Sequence, residues 1–387
     1  MFHQSITDQT VRFKSTHNKD QFIKVLKKRV DNYFKENNIS TYANGAMWLK
    51  VCFAFAAWIG VYSLIISDKL SAYPLLLIVV FSLLGFCNIF VAFACVHDSV
   101  HDALSPKPWV NKLLARTFDF VGGNSYLLRQ MHGEHHKWVN IHGIDVTLET
   151  HGMFRFTPHE PWKPIHRFQH LYTPILYLMA QLHWVSAKDF KWFFGESHIG
   201  NRKNVKHPLK EYLVLLFFKA NYYTLTLVLP MIFLSAPWWL ILIAWVLMHI
   251  PSGLAFVLIF QCTHVYDGTT YPMPDGEGNI ENNYALHILD TTADFSRKSY
   301  IGTWLMGAIN VHVIHHIFPN ICHIHYQKIT PIIIETAKEF GIKYKEYQTF
   351  PEALAAHMRM LKHLSRADAV VPAYNETTVR AVETMAA

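Results

Sequence analysis

Residues 74–101 read PLLLIVVFSLLGFCNIFVAFACVHDSVH. The first 22 carry no charge, and two residues after Cys95 the text turns polar with a histidine pair four apart, His97 and His101. At about 1.5 Å rise per residue, 22 residues of helix reach about 33 Å, enough for a hydrocarbon core of about 30 Å. Uncharged runs of this length point to membrane spans rather than to buried core helices of a large soluble protein. Three further runs extend the reading. Residues 51–66, VCFAFAAWIGVYSLII, lie between Lys50 and the pair Asp68 and Lys69; residues 212–234 are apolar but for Lys219; residues 237–260 carry no charge. The first of these is short, so it becomes a span only if Trp48 and Leu49 join it and Lys50 snorkels to the interface.

The composition agrees. Charged residues make up 16%, hydrophobic residues 51%, and mean hydropathy is +0.12, against about 25% charged for an ordinary globular chain. Aromatics at 14% exclude a disordered chain. Five cysteines without a CxxC pair exclude a disulfide scaffold. A net charge of +7 would suit nucleic acid or a membrane surface, and the hydropathy decides for the membrane. Of 35 Lys and Arg, 32 fall in residues 1–47, 96–211 and beyond 260, while the turns at 67–73 and 235–236 hold only Lys69. That asymmetry puts both termini and the 96–211 segment in the cytosol. The expected fold is all-α and integral to the membrane: four transmembrane helices in two hairpins under a cytosolic helical cap.

Three regions follow: a cytosolic N-terminal segment at 1–47, a membrane domain at 48–366 with spans near 48–66, 74–95, 212–234 and 237–260, and a tail at 367–387. The first 47 residues hold no apolar h-region of a signal peptide. Residues 20–36 put Phe22, Val25, Leu26, Val30, Tyr33 and Phe34 on one helical face, which fits a basic amphipathic helix on the membrane or one packed on the cap. Residues 171–186 are apolar but interrupted by Pro174 and His183; a full span there would invert the later topology, so the segment is expected at the interface. Residues 267–283 read as a loop and Pro351 opens a helix through Leu364.

The chain holds 25 histidines in 387 residues. At that frequency chance gives about 1.6 HxxxH pairs, so HDSVH (His97, His101) means little alone, but only about 0.1 HxxHH. HxxHH occurs twice, as HGEHH (His132, His135, His136) and HVIHH (His312, His315, His316). Residues three or four apart share a helix face, so each cluster offers adjacent imidazoles to metal. Neutral imidazole suits iron, zinc, copper or nickel over magnesium or calcium. Eight exceed the needs of one tetrahedral zinc and suggest two metals. His249 lies mid-span and reads as a hydrogen-bonded packing residue. His142, His287, His323 and His325 read as structural, and position alone leaves His264, at the end of the last run, open. HExxH, ExxH, P-loop, GxSxG and GxGxxG motifs are absent, which removes zinc proteases, carboxylate-bridged bundles, hydrolases of the Ser type and direct nicotinamide binding.

With the three boxes HDSVH, HGEHH and HVIHH and the hairpin–loop–hairpin plan, the chain resembles the integral-membrane fatty acid desaturases. WVNKLLARTFDFVGGNSY, NIHGIDV, FQCTHVYDGTTYP and HHIFPNICHIHY are similar to bacterial front-end, linoleoyl-CoA-desaturase-like members, over about residues 20–365. The resemblance implies a further ligand at His264, in FQCTH. It implies two non-haem irons on His97, His101, His132, His135, His136, His264, His312, His315 and His316, with O2 as co-substrate and no other catalytic residue. It also implies a bacterial inner membrane and a fatty acyl substrate linked to CoA or lipid. Front-end enzymes usually begin the third box with glutamine, where this chain has His312. Many carry a fused cytochrome b5 domain with an HPGG motif, which this sequence lacks, so electrons are expected from a separate ferredoxin or cytochrome b5.

The expected activity is oxygen-dependent insertion of a cis double bond into a long acyl chain. The rival reading on the same histidine scaffold is a hydroxylase or ketolase of acyl, alkane, sphingolipid or carotenoid substrates, which spacing cannot separate. A metal transporter or a membrane haem protein needs ligands at mid-membrane, where only His249 stands. Nucleic acid is not an expected partner.

Overall fold

The computed structural model describes residues 11–14, 19–150, 152–195, 198–200 and 202–370; the expected tail beyond 370 lies outside the described residues. Among the described residues, four helices are long and apolar enough to cross a membrane: Gly45–Ile66, Pro74–Cys95, Leu209–Phe233 and Trp238–His264. Short turns pair them as two hairpins. The first helix starts three residues before the expected boundary because Asn44 caps it, its side chain accepting from the Met47 N–H at 3.0 Å. Pro74 opens the second at a position where its missing N–H costs nothing. The fourth runs four residues past the expected end, so His264 sits on its last turn.

Lys50 corrects an expectation. It does not snorkel: with the helix extended to Gly45 it points inward and is 3% exposed. Its Nζ lies 3.2 Å from His323 Nε2 and over the rings of Trp304 and Phe90. A charge at this depth is costly unless it finds internal partners, and these are the partners. Lys219, the other basic residue within a span, donates to Asp189 Oδ2 at 2.7 Å and to Gly122 O at 2.6 Å. That buried pair ties the third span to the interfacial segment.

The second and fourth spans form the centre of the bundle. A Cβ on Gly85 would stand 1.8 Å from Met248 O, so only glycine permits this crossing. Ser252 Oγ closes it by donating to Gly85 O at 2.5 Å. Just before the first histidine box the second span widens into a π turn at Phe90–Cys95, a local geometry frequent at functional sites. The 169–194 segment is broken into Gln169–Leu178, Ala180–His183, a π turn at Trp184–Lys188 and Asp189–Phe194. It exposes Leu171, Ile175 and Met179, as an interfacial segment does.

The cap has its own core. Helix Lys19–Glu36 buries Phe22, Leu26, Val30 and Phe34 with Ile329, Ile333 and Ala337 of helix Tyr326–Glu339, and Arg29 bridges to Glu339. Of its two expected placements it takes the cap. Helix Phe350–Leu364 starts at a Thr349–Glu352 capping box. Strands among the described residues are three two-residue pairs.

Candidate metal centre

Four separate elements bring the histidines together. The turn His97–Val100 follows the second span directly. Helix Ser125–Lys137, capped by Asn124, carries His132, His135 and His136 on its last two turns. His264 ends the fourth span, and helix His312–Ile317 holds the third box. Asp294 Oδ1 accepts from the Val313 N–H at 2.9 Å, doing for this short helix what a cap residue does elsewhere.

Two groups result. In one, ring nitrogens of His97, His101, His132 and His315 lie within 4.8 Å of one another; in the other, those of His135, His264, His312 and His316 do. His136 Nε2 joins the first group at 3.1 Å from His132 Nε2 and 3.0 Å from His315 Nε2, and its ring lies 4.2 Å from that of His316. The structure thus gathers all nine expected residues into one cluster. Only His101 keeps appreciable exposure.

Hydrogen bonding cannot account for this cluster. His132 Nε2 has the Nε2 atoms of His97, His101 and His136 at 2.9, 3.0 and 3.1 Å, yet a neutral ring nitrogen carries one proton at most. Protonation is disfavoured as well. Burial, reinforced by neighbouring imidazoles, holds His132, His136, His312, His315 and His316 well below the ordinary range. Burial brings His97 down to about 3 and His101 to about 4. The rings are neutral and their lone pairs converge, which is the donor set of a borderline metal ion. Two nitrogens each about 2.1 Å from one ion stand roughly 3.0–3.4 Å apart, close to the observed spacings. His312 Nε2 is buried without a hydrogen-bond partner, as a ligand atom would be.

Outward-facing nitrogens fix several rings. His135 Nδ1 donates to Asp145, 3.0 Å from both oxygens. His264 Nδ1 faces Thr291 O at 3.3 Å and His312 Nδ1 donates to Ile309 O at 2.9 Å. Each such bond turns Nε2 toward the centre as an acceptor. Asp145 also accepts from Asn140 N and from Thr147 N and Oγ1. Burial alone would raise its pKa; His135 and these bonds more than offset that and hold it below the ordinary carboxylate range. Sequence reading missed Asp145, whose only signal is a lone carboxylate in NIHGIDV.

The histidines expected to be structural have other surroundings. His249 donates from Nδ1 to Trp245 O and accepts from Tyr222 OH, both at 2.8 Å. His287 binds Val139 O and His325 binds Tyr42 O; the His142 ring lies 6.1 Å from that of His159, tilted by 40°. His323 joins Asp98 and Cys322 in a third, smaller group of potential ligands. A small, mostly apolar cavity of about 20 Å³, with Ala92, Phe93, Phe118, Val121 and Trp184 in its lining, lies on the membrane side of the first box. Phe93 stacks on His97 at 5.8 Å.

A family model described as fatty acid desaturase matches residues 73–348. The chain is 33% identical over 383 residues to the sn-1 linoleoyl-lipid 6-desaturase of Synechocystis sp., covering 94% of this chain and 99% of that one. It is 31% identical to the protein of the same name from Arthrospira platensis, over 89% and 92% of the two chains. It is 30% identical to the acyl-lipid (8-3)-desaturase of Physcomitrium patens, over 91% and 73%.

Proposed function

The chain belongs to the fatty acid desaturase family and is an acyl-lipid desaturase, and from that premise we propose that its nine clustered histidines hold two iron ions. His97, His101, His132, His136 and His315 serve one, and His135, His264, His312 and His316 the other. The observation that carries this is the convergence of imidazole nitrogens in two adjacent, largely buried groups. Iron bound there supplies dioxygen activation and the removal of two hydrogens from an unactivated methylene pair.

The protein's own share is positional. The acyl chain approaches the cluster from the membrane side, near Phe93, whose ring stacks on that of His97. Around the cluster the protein would exclude water from the reacting carbons and hold one carbon pair beside the histidines. The head group, on lipid or CoA, stays at the cap side. Relatives carrying the names 6-desaturase and (8-3)-desaturase favour a cis double bond toward the carboxyl end. The cap faces the cytosol of a bacterial inner membrane, on the charge asymmetry of its loops. Electrons come from a separate acidic carrier of the ferredoxin or cytochrome b5 type.

Expression in a host without polyunsaturated lipids tests the reading. New double bonds in the host's acyl chains, with about two irons per purified chain, are expected. A hydroxylated product, or a single zinc with no activation by iron, would overturn it.

A further inference from the structure

Outside the nine histidines, one buried charged cluster has no part in the reading above. Asp98 lies between His97 and His101 in the first box. Its Oδ2 accepts from Cys322 Sγ at 2.9 Å, from the His323 backbone N–H at 3.0 Å and from His323 Nδ1 at 2.8 Å. With Nδ1 donating, His323 Nε2 presents its lone pair, and Lys50 Nζ meets it at 3.2 Å. Lys50 belongs to the first span, which carries none of the nine histidines. Its ammonium is enclosed by Trp304 and Phe90, 5.1 and 5.8 Å from the ring centroids, and by the His323 ring. Lys50, Asp98 and His323 are all buried.

Asp98, Cys322 and His323 have the composition of a cation site. The chain supplies the cation itself, as an ammonium on a membrane helix. A buried carboxylate needs a counter-charge and filled hydrogen bonds, and the Lys50–His323–Asp98 series provides both. Mechanically it joins three parts: the first span, the first histidine box, and the segment that follows the third box. The two imidazole groups differ in how they depend on that junction. The first takes His97 and His101 from the first box, whereas the second takes none of its members from it.

We propose that Lys50, through His323 and Asp98, is a positioning residue that sets the first histidine box and so the first of the two metal sites, leaving the second largely independent. The inference rests on the two-iron reading above. Removing the ammonium leaves Asp98 buried without its counter-charge, and the box it shares with His97 and His101 relaxes. Outer partners of metal ligands are typically worth about 10–100-fold in metal affinity.

The test titrates metal-free wild type, Lys50→Met and Lys50→Arg with ferrous ion alone, counting equivalents and affinities. Wild type takes up two. Lys50→Met is expected to keep one equivalent near wild-type affinity and to bind the other about 10–100-fold more weakly, while Lys50→Arg, which keeps the charge, restores much of the second. Equal binding of both equivalents by Lys50→Met refutes the proposal, and so does equal weakening of both. The double variant Lys50→Met/Asp98→Asn guards against a folding defect: with neither charge left buried, it should melt higher than Lys50→Met alone. A double variant melting no higher refutes the charge pairing. Wild type that binds one ion or none would sink the two-iron reading itself, which is a separate outcome.

Discussion

Replacing Asp145 by asparagine keeps the shape of the side chain and removes half of its accepting capacity. Asp145 Oδ1 takes Thr147 N at 3.0 Å and Thr147 Oγ1 at 2.7 Å, Oδ2 takes Asn140 N at 2.9 Å, and His135 Nδ1 is 3.0 Å from both. If the amide oxygen stands at Oδ1, the new NH2 faces the Asn140 N–H and one buried donor goes unpaired. If it stands at Oδ2, two donors on Thr147 do. The first arrangement is cheaper and costs about 1–3 kcal/mol for the stranded donor. His135 also trades a carboxylate acceptor for an amide, which lowers its basicity toward metal. Iron affinity of the group that contains His135 should fall about 10–100-fold, or about 1.4–2.7 kcal/mol. Ferrous titration of metal-free protein reads the affinity, melting in detergent reads the stability, and Mössbauer spectroscopy distinguishes which site empties. Asp145→Ala strands every donor and should do worse on all three. Asp145→Asn with wild-type iron affinity would refute the argument that this carboxylate orients His135, and loss confined to the other site would do so as well.

Within the third box, His312→Gln is expected to retain measurable desaturation while His316→Gln does not. His316 Nε2 approaches His264 Nε2 at 3.2 Å, whereas His312 Nε2 has no ring nitrogen within bonding distance; equal inactivity in folded protein would overturn this. Gly85→Ala places a methyl against Met248 O and should lower stability by about 1–3 kcal/mol or more, with an unchanged melting temperature as the contrary result. His287 and His357 are each lowered by burial to about 4. Between that value and about 6.5 the unfolded chain binds more protons than the folded one. Stability should therefore drop by about 1.4 kcal/mol per pH unit per group as pH falls through this window, and a flat profile from pH 7 to 5 would contradict it. Turnover with an acidic electron carrier should decline steeply with added salt, and salt-independent turnover would count against a basic docking face.

What the sequence made legible was local. The 22 uncharged residues at 74–95 and the i, i+3, i+4 spacing within the boxes are properties of a single helix and need no partner to be read. The bounds of the spans were nearly as accessible, and missed where a cap or a terminal histidine lay outside the apolar run, as at Asn44 and His264. The supporting contacts were not legible because they join residues far apart in the chain. Nothing near Lys50 indicates that it turns inward rather than out: its partner is 273 residues away. Asp145 is ten residues from His135, across a turn whose path no periodicity describes. The amphipathic face at 20–36 gave the pattern of burial but not what would cover it, since a lipid surface and an apolar helix accept the same stripe.

Each imidazole group draws on segments that leave the ribosome far apart in time. The first begins at His97 and is incomplete until His315; the second begins at His135 and waits for His316. Neither can form while the chain is still being threaded into the bilayer, because the second hairpin must be inserted before the third box is made. Metal capture is therefore a late event in biogenesis, following insertion rather than guiding it. In the interval, nine imidazoles must be kept apart from premature partners by the scaffold alone. The inward lysine and the Asp145 carboxylate, which need no metal to form their bonds, give the newly inserted protein a shaped receptacle before any ion reaches it.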